Sequence, residues 1–120
     1  MSKVINTVGG GGSGGGSWEL LWTNPDPAAT FTAQTIQTTG LSNYRFVAII
    51  VIAGTNVAST KVGTAIIFPF INGRTVSIYG SLFGSSSQRD CVLASDSIAI
   101  GNRQDNNNAY LIPTEAYGIP

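Results

Sequence analysis

Residues 44–53 read YRFVAIIVIA and contain the longest apolar stretch of the chain. Successive side chains of a β-strand point to opposite faces of the sheet, and in this stretch both sets are apolar. The first set comprises Phe46, Ala48, Ile50 and Ile52, and the second comprises Val47, Ile49, Val51 and Ala53. The stretch therefore predicts a central strand that needs cover on both faces. It is far shorter than the roughly 20 apolar residues of a transmembrane helix, so no membrane insertion is expected.

Alternation of apolar and polar residues, interrupted by turn residues, continues on both sides of this strand. It predicts further strands at 18–23, 31–36, 64–68, 76–83, 89–94, 97–101 and 109–112. Asn72-Gly73 is placed for a two-residue hairpin turn, 84–87 and 102–108 are predicted loops, and 113–120 is a predicted extended tail. About eight strands without an amphipathic helix predict an all-β fold. The expected arrangement is an antiparallel two-sheet β-sandwich, with the jelly roll as a candidate topology.

The N-terminal region differs in composition from the rest. Residues 9–17 are seven glycines and two serines, which is typical of a flexible linker. We therefore predict three segments, an anchor peptide at 1–8, a Gly/Ser-rich linker at 9–17 and a sandwich domain at 18–120. The apolar residues of the anchor are Val4, Ile5 and Val8. A second interpretation is that the glycine tract is an engineered linker without biological meaning.

Charge and residue inventory exclude several functions. Six basic and six acidic residues cancel, and the basic ones are scattered, so nucleic-acid binding is not expected. The chain has no histidine, which removes the usual general base, the usual zinc ligand and every Ser-His or Cys-His nucleophile. The single Cys91 lies in an apolar stretch and is read as a small buried hydrophobic residue. No catalytic residue, metal or cofactor is predicted.

Two patterns suggest contact with a partner. The loop at 102–108 and the residues after it combine charged, amide and aromatic groups, which suit a sugar or a protein surface as well as an ordinary solvated loop. Its candidate binding residues are Arg103, Asp105, Asn107 and Tyr110. On the two-sided strand, Val47, Ile49 and Val51 are candidates for an oligomer interface, unless the chain itself covers them.

Three stretches carry a resemblance to a known family. They are 18–25 (WELLWTNP), 31–36 (FTAQTI) and 110–119 (YLIPTEAYGI). In these the chain resembles the small C-terminal β-domains of tail-fibre and minor structural proteins of bacteriophages and prophages. The resemblance implies a virion location after synthesis in the host cytoplasm, homo-oligomers with trimers favoured, and attachment to host-surface glycans. The lack of a shaft or coiled-coil segment upstream departs from a long fibre.

The leading functional hypothesis is thus a non-enzymatic virion protein of a tail fibre, baseplate or receptor-binding head, joined to other virion proteins by its N-terminal arm. One alternative is a capsid decoration or head-fibre protein. Another is a free carbohydrate-binding, lectin-like module, suggested by the Asn-rich loop and by the aromatic residues Trp18, Trp22, Tyr44, Tyr79 and Tyr110. A glycosidase ranks last, because its two carboxylates would have to come from residues such as Asp90, Asp96, Asp105 and Glu115.

Overall fold

The computed structural model describes residues 3–5, 17–52, 63–82, 85–104 and 107–120, with the backbone alone for 3–5, 81–82 and 85–87. Its strands are β1 (Lys3–Ile5), β2 (Trp18–Thr23), β3 (Gln34–Gln37), β4 (Phe46–Ile52), β5 (Thr64–Pro69), β6 (Thr75–Leu82), β7 (Ser85–Leu93), β8 (Ser97–Arg103) and β9 (Ile112–Ile119). One 3-10 turn, Leu41–Asn43, precedes β4. The prediction of an all-β fold is confirmed.

The strands form two antiparallel sheets. Sheet A has the order β1-β2-β9-β4-β5, and sheet B has the order β3-β8-β7-β6. Apart from the three-residue β1, eight strands therefore form two sheets of four, as expected for a sandwich. The chain changes sheet at β2–β3–β4, at β5–β6 and at β8–β9, as jelly rolls do, whereas β4–β5 and β6–β7–β8 connect within one sheet.

The core lies between the two sheets. Val47 and Ile49 are 0% exposed and Val51 is 4% exposed, all within the single chain. They belong to one cluster with buried residues of sheet B, namely Ile36, Ile78, Cys91, Leu93, Ile98 and Ile100. The prediction that Val47, Ile49 and Val51 contact another subunit is therefore wrong, because sheet B of the same chain already covers them. The buried position of Cys91 is confirmed.

The last strand is longer and more central than the sequence pattern suggests. We expected a strand at 109–112 and a tail at 113–120, but β9 pairs with β2 on one side and with β4 on the other. Pro113, which cannot donate a ladder hydrogen bond, lies next to a register shift between Ile50 and Val51. Asn24 closes this end of β9, because its side-chain amide donates to the Pro113 carbonyl at 2.8 Å and its backbone N–H donates to the Thr114 carbonyl at 2.8 Å.

Four smaller differences separate the predicted elements from the observed ones. The Asn72-Gly73 turn is present, with Gly73 at φ 78°, but it connects β5 of sheet A to β6 of sheet B and so is no hairpin. Ser85 pairs with Leu82, so the serine run predicted as a loop begins β7. β3 starts at Gln34, while Phe31 is already buried in the core ahead of the strand. β8 continues to Arg103, two residues beyond its predicted end.

The predicted anchor peptide contributes β1, which pairs with β2 of the same chain through Val4↔Glu19 and Ile5↔Trp18. Val4 and Ile5 therefore extend the edge of sheet A. Their role as an anchor stays a prediction, and Val8 and residues 9–16 of the linker lie outside the described residues.

Candidate functional site

A buried arginine organises one end of the sandwich. Arg89 lies on the inner face of β7 and is 0% exposed. Its guanidinium donates to five backbone carbonyl oxygens of the described residues, at distances from 2.8 to 3.3 Å. They belong to Phe31, Gly101, Asn108, Tyr110 and Leu111. Arg89 therefore ties the segment before β3 and the segment before β9 to the core.

The surroundings of Arg89 include one favourable contact and two unfavourable features. Its guanidinium carbon lies 5.3 Å from the centroid of the Phe31 ring, a cation–π contact. Burial, followed by the charge of Arg103, lowers the pKa of Arg89 to about 10, so the group is still charged at neutral pH. Leu111, whose carbonyl accepts from Nε, has a left-handed backbone with φ 53°, which is unfavourable for a leucine. These features indicate a structural role for Arg89 beneath the loop at 102–108.

The predicted binding loop is shaped by contacts within itself. The Arg103 guanidinium carbon lies 5.2 Å from the centroid of the Tyr110 ring, so Arg103 covers one face of that ring. The Asn108 side chain accepts from the backbone N–H of Arg103 and donates to Asn102. Asn107 is exposed, and Asp105 lies outside the described residues. Arg103 and Tyr110 are thus brought together, and the role of the four residues in binding stays a prediction.

The outer face of sheet B offers a different candidate site. Apart from Val92 and Tyr79, its outward side chains are polar or small: Thr35 and Gln37 on β3, Ser97, Ala99 and Gly101 on β8, Gln88, Asp90 and Val92 on β7, and Thr75, Ser77 and Tyr79 on β6. Asp90 is the one charged residue in this set. Of the five aromatic residues that suggested a lectin, Tyr79 is the exposed one, at 57%, while the other four are partly buried.

A shallow trough crosses this face above β8. It has a volume of about 400 Å³. Its lining residues are Ala33, Gln34, Thr35, Asp90, Val92, Ala99, Ile100 and Gly101. The trough exists because β8, in the middle of the sheet, has small outward residues between larger ones on β3 and β7. Opposite Asp90, the register shifts so that β8 supplies both Gly101 and Asn102, which is a β-bulge.

Hydrogen bonds fix the residues around the trough. The Asp90 carboxylate accepts from the Ser77 hydroxyl at 2.7 Å and from the Gln88 amide at 2.9 Å, both at Oδ1. On the far side, the backbone N–H of Ala33 donates to the Asn102 side chain at 2.7 Å. The bulge thus directs Asn102 to hold the start of β3, and neighbouring side chains orient Asp90.

The part of the outer face of sheet A that β4 and β5 form is apolar instead. On β4 and β5 the outward residues Phe46 and Ile67 are 39% and 50% exposed, and Ala65 and Pro69 are exposed as well. Neither strand contains a charged residue. Ala48 on the same face is 0% exposed, because it is paired with Tyr117 of β9 and Ile67 of β5. We call Phe46, Ala65, Ile67 and Pro69 the apolar outer face.

The carboxylates considered for a glycosidase lie apart in the described residues. Asp90 is on the outer face of sheet B, Asp96 accepts from the Gly40 N–H in the turn after β7, and Glu115 is on β9 of sheet A. Glu115 interacts with Tyr117: burial, followed by the negative charge of Glu115 and a hydrogen bond with it, raises the pKa of Tyr117 to about 12. Asp105 lies outside the described residues.

Two further findings concern the described part of the chain. It contains no group of three or more His, Cys, Asp or Glu residues that could hold a metal ion. It also contains no helix that is long and apolar enough to span a membrane.

Burial raises the pKa of the Cys91 thiol to about 12, which keeps this thiol protonated and unreactive at neutral pH.

Fold and surface together define a two-sheet β-sandwich with a mainly polar outer face on sheet B and an apolar patch on β4 and β5 of sheet A. Comparison of the chain with protein-family models, with curated proteins and with solved structures finds no match.

Proposed function

We propose that this chain is a structural protein of a bacteriophage virion that forms homo-oligomers and presents its sandwich for attachment to the host surface. The contrast between its two outer faces supports this proposal most strongly. The apolar outer face packs on further copies of the chain, and the polar face of sheet B points towards the host.

The apolar outer face is expected to meet a second copy because it includes an edge strand, β5, that carries no charged side chain. β5 ends sheet A, and its outward residues are Ala65, Ile67 and Pro69. Natural proteins usually protect an exposed edge with lysine or other charged side chains, and β5 has only the terminal Pro69 as an edge device. Such a surface is stable in water when another subunit covers it. A chain in which only 10% of residues are charged also has weak protection against association, which suits a subunit of an assembly.

Light scattering on the purified protein tests the oligomer. We expect a defined oligomer, with a trimer favoured, and dissociation to monomers in Ile67→Asp, because a carboxylate would be buried at the interface. Ile71→Asp is the matched control, since Ile71 is 45% exposed but lies in the segment after β5. A wild-type monomer at all concentrations, or equal dissociation in both variants, would contradict the proposal.

Labelling of particles tests the virion role. Antibodies against the chain should decorate purified phage particles in electron micrographs. Label at the tail tip supports host attachment, whereas label over the capsid supports the decoration alternative. Unlabelled particles, together with a freely secreted sugar-binding protein, would favour the lectin alternative.

A further inference from the structure

We infer that the trough of sheet B, together with Asp90 and Tyr79, binds a neutral saccharide of at least two sugar residues. This inference rests on the attachment part of the proposed function and names the ligand class and the site. It replaces the loop at 102–108 as the place where the ligand lies.

The trough has the size and the rigidity that a small ligand site requires. Its volume of about 400 Å³ falls within the range of roughly 300–1,000 Å³ for small-molecule pockets. Its floor lies on β8, one strand in from the β3 edge of sheet B, and it is open because Ala99 and Gly101 carry little or no side chain. A Cβ on Gly101 would lie 3.0 Å from the Asp90 backbone oxygen, so the floor is already closely packed. The site is thus preformed on strands.

Asp90 supplies the acceptor that sugar hydroxyls need. Ser77 and Gln88 both donate to Oδ1, and within the described residues no hydrogen bond reaches Oδ2. The carboxylate is therefore held in place with one oxygen available for a ligand. Hydrogen bonds to a charged acceptor are stronger than neutral ones, and sugar hydroxyls are donors that suit it. Thr35 adds a hydroxyl group on the opposite wall.

Tyr79 supplies the stacking surface. It lies two residues beyond Ser77 on β6, on the same face and diagonal to Asp90 in the antiparallel register. Diagonal neighbours are roughly 7–8 Å apart. Asp90 stands between the trough and the Tyr79 ring, so one sugar residue in the trough and a second on Tyr79 would both be within reach of its carboxylate. A disaccharide therefore fits better than a single sugar.

The charge of the face selects a neutral ligand. Asp90 is its only charged side chain, and its negative charge repels sialylated or sulfated glycans. A site for an organic cation would be expected to combine more than one acidic group or to enclose the cation in several aromatic rings. Here one carboxylate and the hydroxyl of Thr35 lie beside an otherwise apolar lining and one exposed tyrosine, a combination that suits the hydroxyl groups and the apolar ring face of a neutral sugar.

Binding is tested by NMR titration of the full-length, isotope-labelled protein with lactose, maltose, chitobiose, the anionic sialyllactose, and choline as a cationic probe. We expect saturable shifts from a neutral disaccharide at the amides of 79, 88–92 and 99–101. Tyr79→Ala and Asp90→Ala should each weaken binding roughly tenfold. Arg45→Ala is the control and should leave binding unchanged, because Arg45 is exposed just before β4 of sheet A, and melting curves verify the fold of every variant.

Three results would overturn the inference: shifts confined to the loop at 102–108, a response to choline but to none of the sugars, or equal affinity in Tyr79→Ala and wild type. A parallel adhesion assay on host envelopes separates this inference from the proposed function. Adhesion that persists in Tyr79→Ala and Asp90→Ala would overturn the site and leave the attachment role intact. Absence of adhesion by the wild type would overturn both.

Discussion

Replacing Arg89 with methionine should destabilise the sandwich by about 4 kcal/mol. Methionine fills a similar volume but donates no hydrogen bond, so five carbonyl oxygens lose their guanidinium donor. A hydrogen bond from a charged donor contributes about 1.5 kcal/mol at the lower end of its range, which suggests a gross loss of about 7.5 kcal/mol for the five. Part of this loss is offset, because methionine removes a charge whose burial is costly, as its lowered pKa shows.

Urea unfolding followed by tryptophan fluorescence measures this effect, since Trp18 and Trp22 both lie in β2. Arg89→Lys should fall between wild type and Arg89→Met, because an ammonium keeps the charge but has three donors in place of five. Arg45→Met is the control, because Arg45 is exposed, and it should change the free energy of unfolding by less than about 0.5 kcal/mol. An Arg89→Met variant within about 1 kcal/mol of wild type would show that the five carbonyls do not depend on the guanidinium.

Two further predictions concern stability. Burial raises the pKa of Cys91 from 9.0 to about 12, so the unfolded state loses its proton first and stability falls as pH rises above 9. We expect about 1 kcal/mol lost by pH 10 relative to pH 7, and Cys91→Ala should remove most of this loss in the same unfolding series. Gly118→Ala should cost about 2 kcal/mol, because a Cβ there would lie 2.5 Å from the Tyr44 ring, whose hydroxyl is held by Glu19. In a Tyr44→Ala background the same substitution should cost much less, and equal costs in both backgrounds would refute the steric explanation.

The sequence pattern was sufficient to predict the bounds of strands that have clear apolar runs and turn residues at their ends. β2 was predicted with its observed bounds, and β4 within two residues, because apolar and turn residues mark them clearly. β9 was missed in both extent and position. Pro113 and the glycine at 118 argue against a central strand, and only the bulge beside Val51 and the donors from Asn24 make the proline acceptable there.

The orientation of β4 could not be predicted from its own residues, because both of its faces are apolar. The side that faces sheet B is decided by strands distant in sequence, among them β9, whose Tyr117 covers Ala48 on the outer side. This is why Val47, Ile49 and Val51 were assigned to an interface, while the exposed apolar residues are on the opposite face.

The candidate site was predictable only in part. Alternation along β6 places Tyr79 on the face opposite to that of the buried Ile78, so the exposure of Tyr79 follows from the pattern. The trough could not be foreseen, because it needs β3, β8 and β7 to be neighbours, and that order is not local in the chain. Arg89 was counted only among the basic residues scattered along the chain, and its burial was not predicted, since a buried arginine without a carboxylate partner is rare and its carbonyl partners come from several separate segments.

The most direct test of the two-faced surface is the labelling rate of a single introduced thiol. Cys91 is 0% exposed, so Ile67→Cys and Tyr79→Cys would each provide one reactive site for a maleimide reagent. If copies of the chain cover the apolar outer face, the thiol at 67 should react slowly in the native protein and rapidly after dilution to monomers, while the thiol at 79 reacts rapidly throughout. Equally rapid labelling at both positions in the concentrated native protein would contradict the account.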